Sequence, residues 1–211
     1  MALKLPIFMD AQSTTPADPR VVEVMLPYFT EKFGHPASRN HPFGWEAEAA
    51  VDRAREQVGA LIGARDPKEV IFTSGGTESI NLAIKGVVEM YREQGNHIVT
   101  TAIEQRAGLD VCRRLERHGV EVTYVPVQPD GLVSVDEIRK AITDKTILIS
   151  VMFANNEIGT IQDIAAIGKL AKEKGILFHT DATQAAGKIP IDVESTGIDL
   201  LSCTAHLMYG P

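Results

Sequence analysis

The chain has 211 residues, 44% hydrophobic and 23% charged, a balance that supports a packed core and excludes a disordered chain. A net charge of −7 speaks against a nucleic-acid binder, which carries a basic face. The two cysteines, Cys112 and Cys203, lie far apart and form no CxxC, which leaves a disulfide framework or a zinc site unsupported; each reads as a small buried side chain. No apolar run approaches the length of a membrane span. The first ten residues show neither a signal-peptide core nor an Arg-rich transit pattern, so the expectation is a soluble cytoplasmic protein.

Residues 1–16 read as an extended arm and loop ending in Thr15-Pro16. Asp18-Pro19 opens a helix carrying Val21, Val22, Met25 and Leu26, with proline in the first turn, where its missing N–H costs nothing. Residues 33–42 form a loop dense in Gly, Pro and anion-meeting side chains. Ala50, Ala54, Val58 and Leu61 recur at helical spacing and predict a long helix over 44–62, stopped by Asp66-Pro67. Val70-Ile71-Phe72-Thr73 predicts a short strand, then the turn Ser74-Gly75-Gly76-Thr77, then a helix with Leu82, Ile84 and Val87. A glycine-rich turn opening a helix favours an anion, because its amides are free and the dipole is positive there. It lacks the Lys-Ser/Thr of a Walker A loop and is not GxGxxG.

Strands then alternate with helices: strands over 97–101, 120–127, 146–152, 176–179 and 200–203, helices over 104–118, 134–142 and 163–174. That alternation predicts an α/β fold on a largely parallel sheet flanked by helices. Ligands in such folds sit beyond the carboxyl ends of the strands. Asp181, just past Ile176-Leu177-Phe178-His179, either faces a ligand or caps the next turn.

The strand ends together offer Gly75-Gly76-Thr77, Asn155-Asn156, Asp181 with Gln184, and Thr204 with His206. A ligand using all of them needs a phosphate, a polar ring substituent and a cationic ring nitrogen, and pyridoxal 5'-phosphate has all three. A carboxylate beside the pyridine nitrogen keeps it protonated, and the protonated ring is an electron sink.

The sequence resembles the cysteine desulfurases of the iron–sulfur cluster assembly type, which are related to class V aminotransferases. The markers are Asp10…Thr14-Thr15-Pro16, Phe33-Gly34-His35-Pro36-Ala37-Ser38-Arg39, Phe72-Thr73-Ser74-Gly75-Gly76-Thr77-Glu78, Asn155-Asn156-Glu157-Ile158-Gly159, His179-Thr180-Asp181-Ala182-Thr183-Gln184, and His206 before Met208-Tyr209-Gly210-Pro211. The resemblance implies the fold-type-I architecture. Residues 1–16 would be an arm of the small domain, and 17–211 a pyridoxal-phosphate-binding large domain incomplete at its C-terminal end. It implies that Gly76, Thr77, Thr204 and His206 hold the phosphate, that Asp181 pairs with the pyridinium nitrogen, and that Asn156 and Gln184 lie at the ring. It further implies L-cysteine as substrate, L-alanine and an enzyme-bound persulfide as products, a homodimer, and an iron–sulfur scaffold protein as partner.

Three departures carry the opposite expectation. Leu207 occupies the position of the family's Schiff-base lysine and has no amine. Gln105 occupies the position of its ring-stacking histidine and does not titrate near neutral pH. The family's persulfide cysteine lies beyond Pro211, and neither Cys112 nor Cys203 matches it. The chain as written is therefore expected to be inactive, the alternative being a non-catalytic scaffold or partner protein of desulfurase fold without covalent cofactor.

Overall fold

A computed structural model describes residues 5–211. Five strands form its sheet: β1 (His97–Thr101), β2 (Glu121–Val125), β3 (Thr146–Ser150), β4 (Leu177–Asp181) and β5 (Leu200–Ser202). Their order is β2-β1-β3-β4-β5, and every pairing is parallel. A parallel sheet must be covered on both faces, and alternate residues along each strand supply the two cores. On one face Val99, Ile149 and Phe178 pack on Ile138 of α6 (Val135–Ala141) and on Ile164, Ile167 and Leu170 of α7 (Ile164–Lys174). On the other, Ile98 and Leu148 meet Ile80, Ile84 and Val87 of α4 (Gly76–Tyr91), and Val111 and Cys112 of α5 (Arg106–Glu116). The short helix α8 (Val193–Thr196), unforeseen from the sequence, is capped by Asp192 and packs beside α7.

Capping chemistry sets the helix ends. Asp163 accepts from Ala166 N at the start of α7, and Gly175, with φ of 65°, ends it in the left-handed conformation that glycine tolerates. Ser134 accepts from Glu137 N at the start of α6.

The N-terminal third is more open. α1 (Pro19–Met25) and α2 (Pro27–Thr30) bury no residue, and α3 (Pro42–Ile62) buries only Gly44, Ala47 and Gly59. Phe29, Phe33, Phe43 and Trp45 are all more than half exposed.

Two expectations are corrected. Residues 70–73 are not a strand: they belong to no ladder, and Ile71 and Phe72 are exposed. A strand exists only when its N–H and C=O groups meet a neighbour. Among the described residues none does so here; the Val70 carbonyl instead accepts from the Arg55 guanidinium. The helix expected from residue 104 begins at Arg106, because Gln105 is its cap and Glu104 turns inward beneath it.

Candidate cofactor site

The carboxyl ends of the strands, together with the first turn of α4, enclose a cavity of about 330 Å³. Of the residues singled out from the sequence, Gly76, Thr77, Asn156, Gln184, Thr204 and His206 line it, as do Gln105 and Leu207. Asp181 lies just beneath its wall. The backbone N–H of Thr183, a lining residue, donates to Asp181 Oδ1 at 3.0 Å. A Cβ placed on Gly76 would stand 3.0 Å from Thr183 Cγ2. The acid and the glycine turn therefore sit on the same side of the sheet.

At one end lies α4. Its first backbone bond runs from Ser79 N to Gly75 O at 3.0 Å, so the amides before it have no partner within the helix. This is where an anion is stabilised. Thr204 Oγ1 and His206 Nδ1 are 3.0 Å apart beside it. Residue 206 is pinned from the N-terminal segment, where Thr15 donates to the His206 carbonyl through both N–H, at 3.1 Å, and Oγ1, at 2.7 Å.

At the other end Asp181 is buried, 4% exposed, with desolvation holding its carboxyl above the usual range. Oδ1 caps the following turn, but Oδ2 is buried without any hydrogen-bond partner. The cap reading of this residue therefore holds through Oδ1. An unpaired buried carboxylate oxygen is costly, and a ligand N–H is the group that would satisfy it. Gln184 donates from Nε2 to the Gln12 carbonyl at 2.8 Å, and Asn156 from Nδ2 to Gln12 Oε1 at 2.7 Å. Asn155, by contrast, is structural: its amide donates to the Ile103 carbonyl and its Oδ1 accepts from the amides of Glu157 and Ile158.

Several groups escaped the sequence reading. Gln12 and Ser13 line the cavity from a segment read only as loop. Glu104 is a buried acid whose Oε1 accepts from Thr101 Oγ1 at 2.6 Å and Met152 N at 3.0 Å. Desolvation first, and the nearby Asp181 charge further down, push its pKa up to about 8. A lone glutamate at a helix start looks like a cap, and only tertiary burial shows otherwise. Gln105 spends its Oε1 on the Ala107 amide at 2.8 Å. Leu207, 5% exposed, presents hydrocarbon to the cavity. No lysine is among the lining residues. Burial raises the Cys112 thiol to about 12 and shifts Cys203 upward too, so neither is a thiolate at neutral pH.

Residues 7–211 match the family described as aminotransferase class-V. The chain is 57% identical over 211 residues to the cysteine desulfurase IscS of Neisseria meningitidis serogroup C / serotype 2a, covering 100% of this chain and 52% of that protein. It is 56% identical over 209 residues to the cysteine desulfurase IscS of Rickettsia rickettsii, covering 99% and 51%. Among solved structures it is similar to SspA in complex with cysteine, with a TM-score of 0.92 and 40% identity over 96% of this chain and 58% of that one. It is equally similar to a NifS-like protein, with a TM-score of 0.92 and 41% identity over 96% and 55%. The chain thus spans about half the length of these relatives. The family's cofactor is pyridoxal 5'-phosphate, and a cavity lined by the first turn of α4, with a buried unpartnered Asp181 oxygen beneath its wall, fits it. The chain is thus similar to cysteine desulfurases of the IscS kind, and it belongs to the class-V aminotransferase family.

Proposed function

We propose that this chain is the pyridoxal 5'-phosphate-binding part of a cysteine desulfurase, and that as written it holds the cofactor without covalent attachment and without turnover. The observation that carries this reading is the buried, unpaired Asp181 Oδ2, on a carboxylate whose other oxygen accepts from the cavity-lining Thr183. Bound there, the cofactor supplies an electron sink for a substrate carbanion. Asp181 holds the proton on the ring nitrogen by charge. The first-turn amides of α4, with Gly76, Thr77, Thr204 and His206, hold the phosphate; Asn156 and Gln184 meet the ring edge.

Nothing at position 207 moves a proton, because leucine has no titratable group. Gln105 is committed to capping α5. In the whole-length family member the reaction takes sulfur from L-cysteine, leaves L-alanine, and passes a persulfide toward iron–sulfur cluster assembly. We assign that chemistry to relatives with a lysine at this place, and to this chain only the site that precedes it. A cytoplasmic homodimer acting with a scaffold protein, with residues 1–16 in a small domain and 17–211 in the large one, completes the reading. Leu207 in the cavity wall favours one alternative, a desulfurase-fold partner protein that binds no cofactor at all.

Titration of the chain with pyridoxamine phosphate, followed by fluorescence, separates the two. The first reading expects saturable binding, and Asp181→Asn weakens it roughly 10- to 100-fold, the worth of one charge-assisted hydrogen bond. No binding by the unmodified chain supports the cofactor-free partner. Borohydride treatment after incubation with pyridoxal 5'-phosphate leaves no stoichiometric adduct at any single site, beyond scattered labelling of exposed lysines, and Leu207→Lys gains one at residue 207. A stoichiometric adduct on any one lysine of the unmodified chain, formed at the concentration that saturates binding, would overturn the non-covalent reading.

A further inference from the structure

On the α4 and α5 face of the sheet the strands present successive rows. Leu148 and Leu177 pair in register in one row and pack with Leu200 in the apolar core. The next row is polar: Ser150 pairs in register with His179, and Ser202, in register with Asp181 on the neighbouring strand, reaches the imidazole by a hydrogen bond. Asp181 follows His179 by two residues and so shares its face.

This middle row is buried, with His179 and Ser202 at 1% and 0% exposure. Its hydrogen bonds are complete. His179 Nδ1 is 2.9 Å from Ser150 Oγ and Nε2 is 3.1 Å from Ser202 Oγ. Ser79 Oγ of α4 donates to Ser202 Oγ at 2.9 Å. With Ser79 donating, the Ser202 proton is free to point at Nε2, which leaves Nδ1–H to donate to Ser150. Burial lowers the imidazole to about 4, so the ring is neutral and able to play both parts. Apolar residues would fill such a row at less desolvation cost. What the polar row adds is direction: it ties three strands to the first turn of one helix.

We propose that the chain Ser150–His179–Ser202–Ser79 is a positioning network that sets the α4 turn against the Asp181 strand, and thereby fixes the distance between the phosphate end and the ring end of the cofactor cavity. The network acts through Ser79 N, whose bond to the Gly75 carbonyl closes the first turn of α4, and through β4, which carries His179 and Asp181 together. This inference rests on the cofactor reading of the cavity given above. None of the four residues lines that cavity, so they are positioning residues and touch no ligand.

Three variants test it. Ser79→Ala cuts the link between helix and sheet, Ser79→Thr restores the hydroxyl, and His179→Leu removes the centre. Without ligand, hydrogen exchange of the residue-79 amide, which closes the first turn, is expected to rise about threefold to tenfold in Ser79→Ala, the range one buried hydrogen bond commands. Ser79→Thr returns it to the original rate, and the amides of α7 stay unchanged in both. With ligand, the preference for pyridoxamine phosphate over pyridoxamine falls by a similar factor in Ser79→Ala and His179→Leu, and Ser79→Thr recovers it. A lower melting temperature with unchanged exchange of the residue-79 amide and an unchanged phosphate preference would mean a plain structural role and would overturn the proposal. Absence of binding by the unmodified chain would sink the cofactor reading instead, and the exchange rates would still decide whether the network orders the turn.

Discussion

Glu104 and Asp181 are two acids buried at the carboxyl edge of one sheet, and their environments give them different tasks. Asp181 has one oxygen committed to the following turn and one buried without a hydrogen-bond partner. Glu104 has Oε1 engaged by Thr101 and Met152 and titrates only near 8, so at neutral pH it is a carboxylic acid that ties the ends of β1 and β3 together. Its folded value lies above the ordinary 4.5, so the folded chain binds this proton more tightly than the unfolded chain does. That stabilisation is fully present below 4.5 and is lost as pH rises through about 8. The melting temperature is therefore expected to fall by about 5 °C or more between pH 5 and pH 8. In Glu104→Gln, which keeps the acceptor and cannot ionise, the slope flattens over that window. An identical slope in the variant would show that another group carries the pH dependence. The chemistry of the cavity wall is likewise a matter of single residues: hydrocarbon at Leu207, and a Gln105 side chain whose oxygen caps α5.

At the scale of elements, patterns of period 3.6 and apolar runs found most helices and strands, because each such element buries one stripe or both faces locally. The 70–73 segment shows the limit. Its β-branched and aromatic residues look like a strand, but whether it pairs depends on a neighbour that no local pattern encodes. Close packing between elements is equally invisible in the sequence. Gly168 of α7 lies so near α8 that a Cβ there would stand 1.9 Å from the Thr196 carbonyl oxygen. Gly168→Ala is thus expected to destabilise the chain by more than about 2 kcal/mol, by forcing two backbones apart. A lowered urea midpoint with an unchanged slope would register it. A midpoint within error of the parent would mean that α8 moves aside freely.

The molecule as a whole divides its surface unevenly. The sheet and its two helical layers bury their apolar residues well, whereas α1 to α3 expose Phe29, Phe33, Phe43 and Trp45. Large exposed apolar patches mark association sites, in keeping with the proposed homodimer. Sedimentation is expected to show concentration-dependent association of the chain. Replacing Phe43 and Trp45 together by serine lowers it at least tenfold, an effect of order 1.4 kcal/mol. Trp45 is the single tryptophan, so its emission reports the same event in the parent chain. Unaltered association in the double variant would place the contact elsewhere.

By itself the amino-acid order determined the alternation of strands and helices, the parallel sheet, the glycine turn at Gly75-Gly76-Thr77 that opens a helix, and the acid at the end of the fourth strand. These follow from short-range periodicity and from turn chemistry, which nearby residues settle among themselves. The tertiary structure alone decided that Gln12 reaches Asn156 and Gln184, that Glu104 is buried, and that residues 70–73 stay unpaired. It also decided that one Asp181 oxygen is left without a partner and that four distant polar side chains join beneath the cavity. Burial and long-range pairing depend on which remote segments arrive together, and that is a property of the packed chain rather than of any window along it.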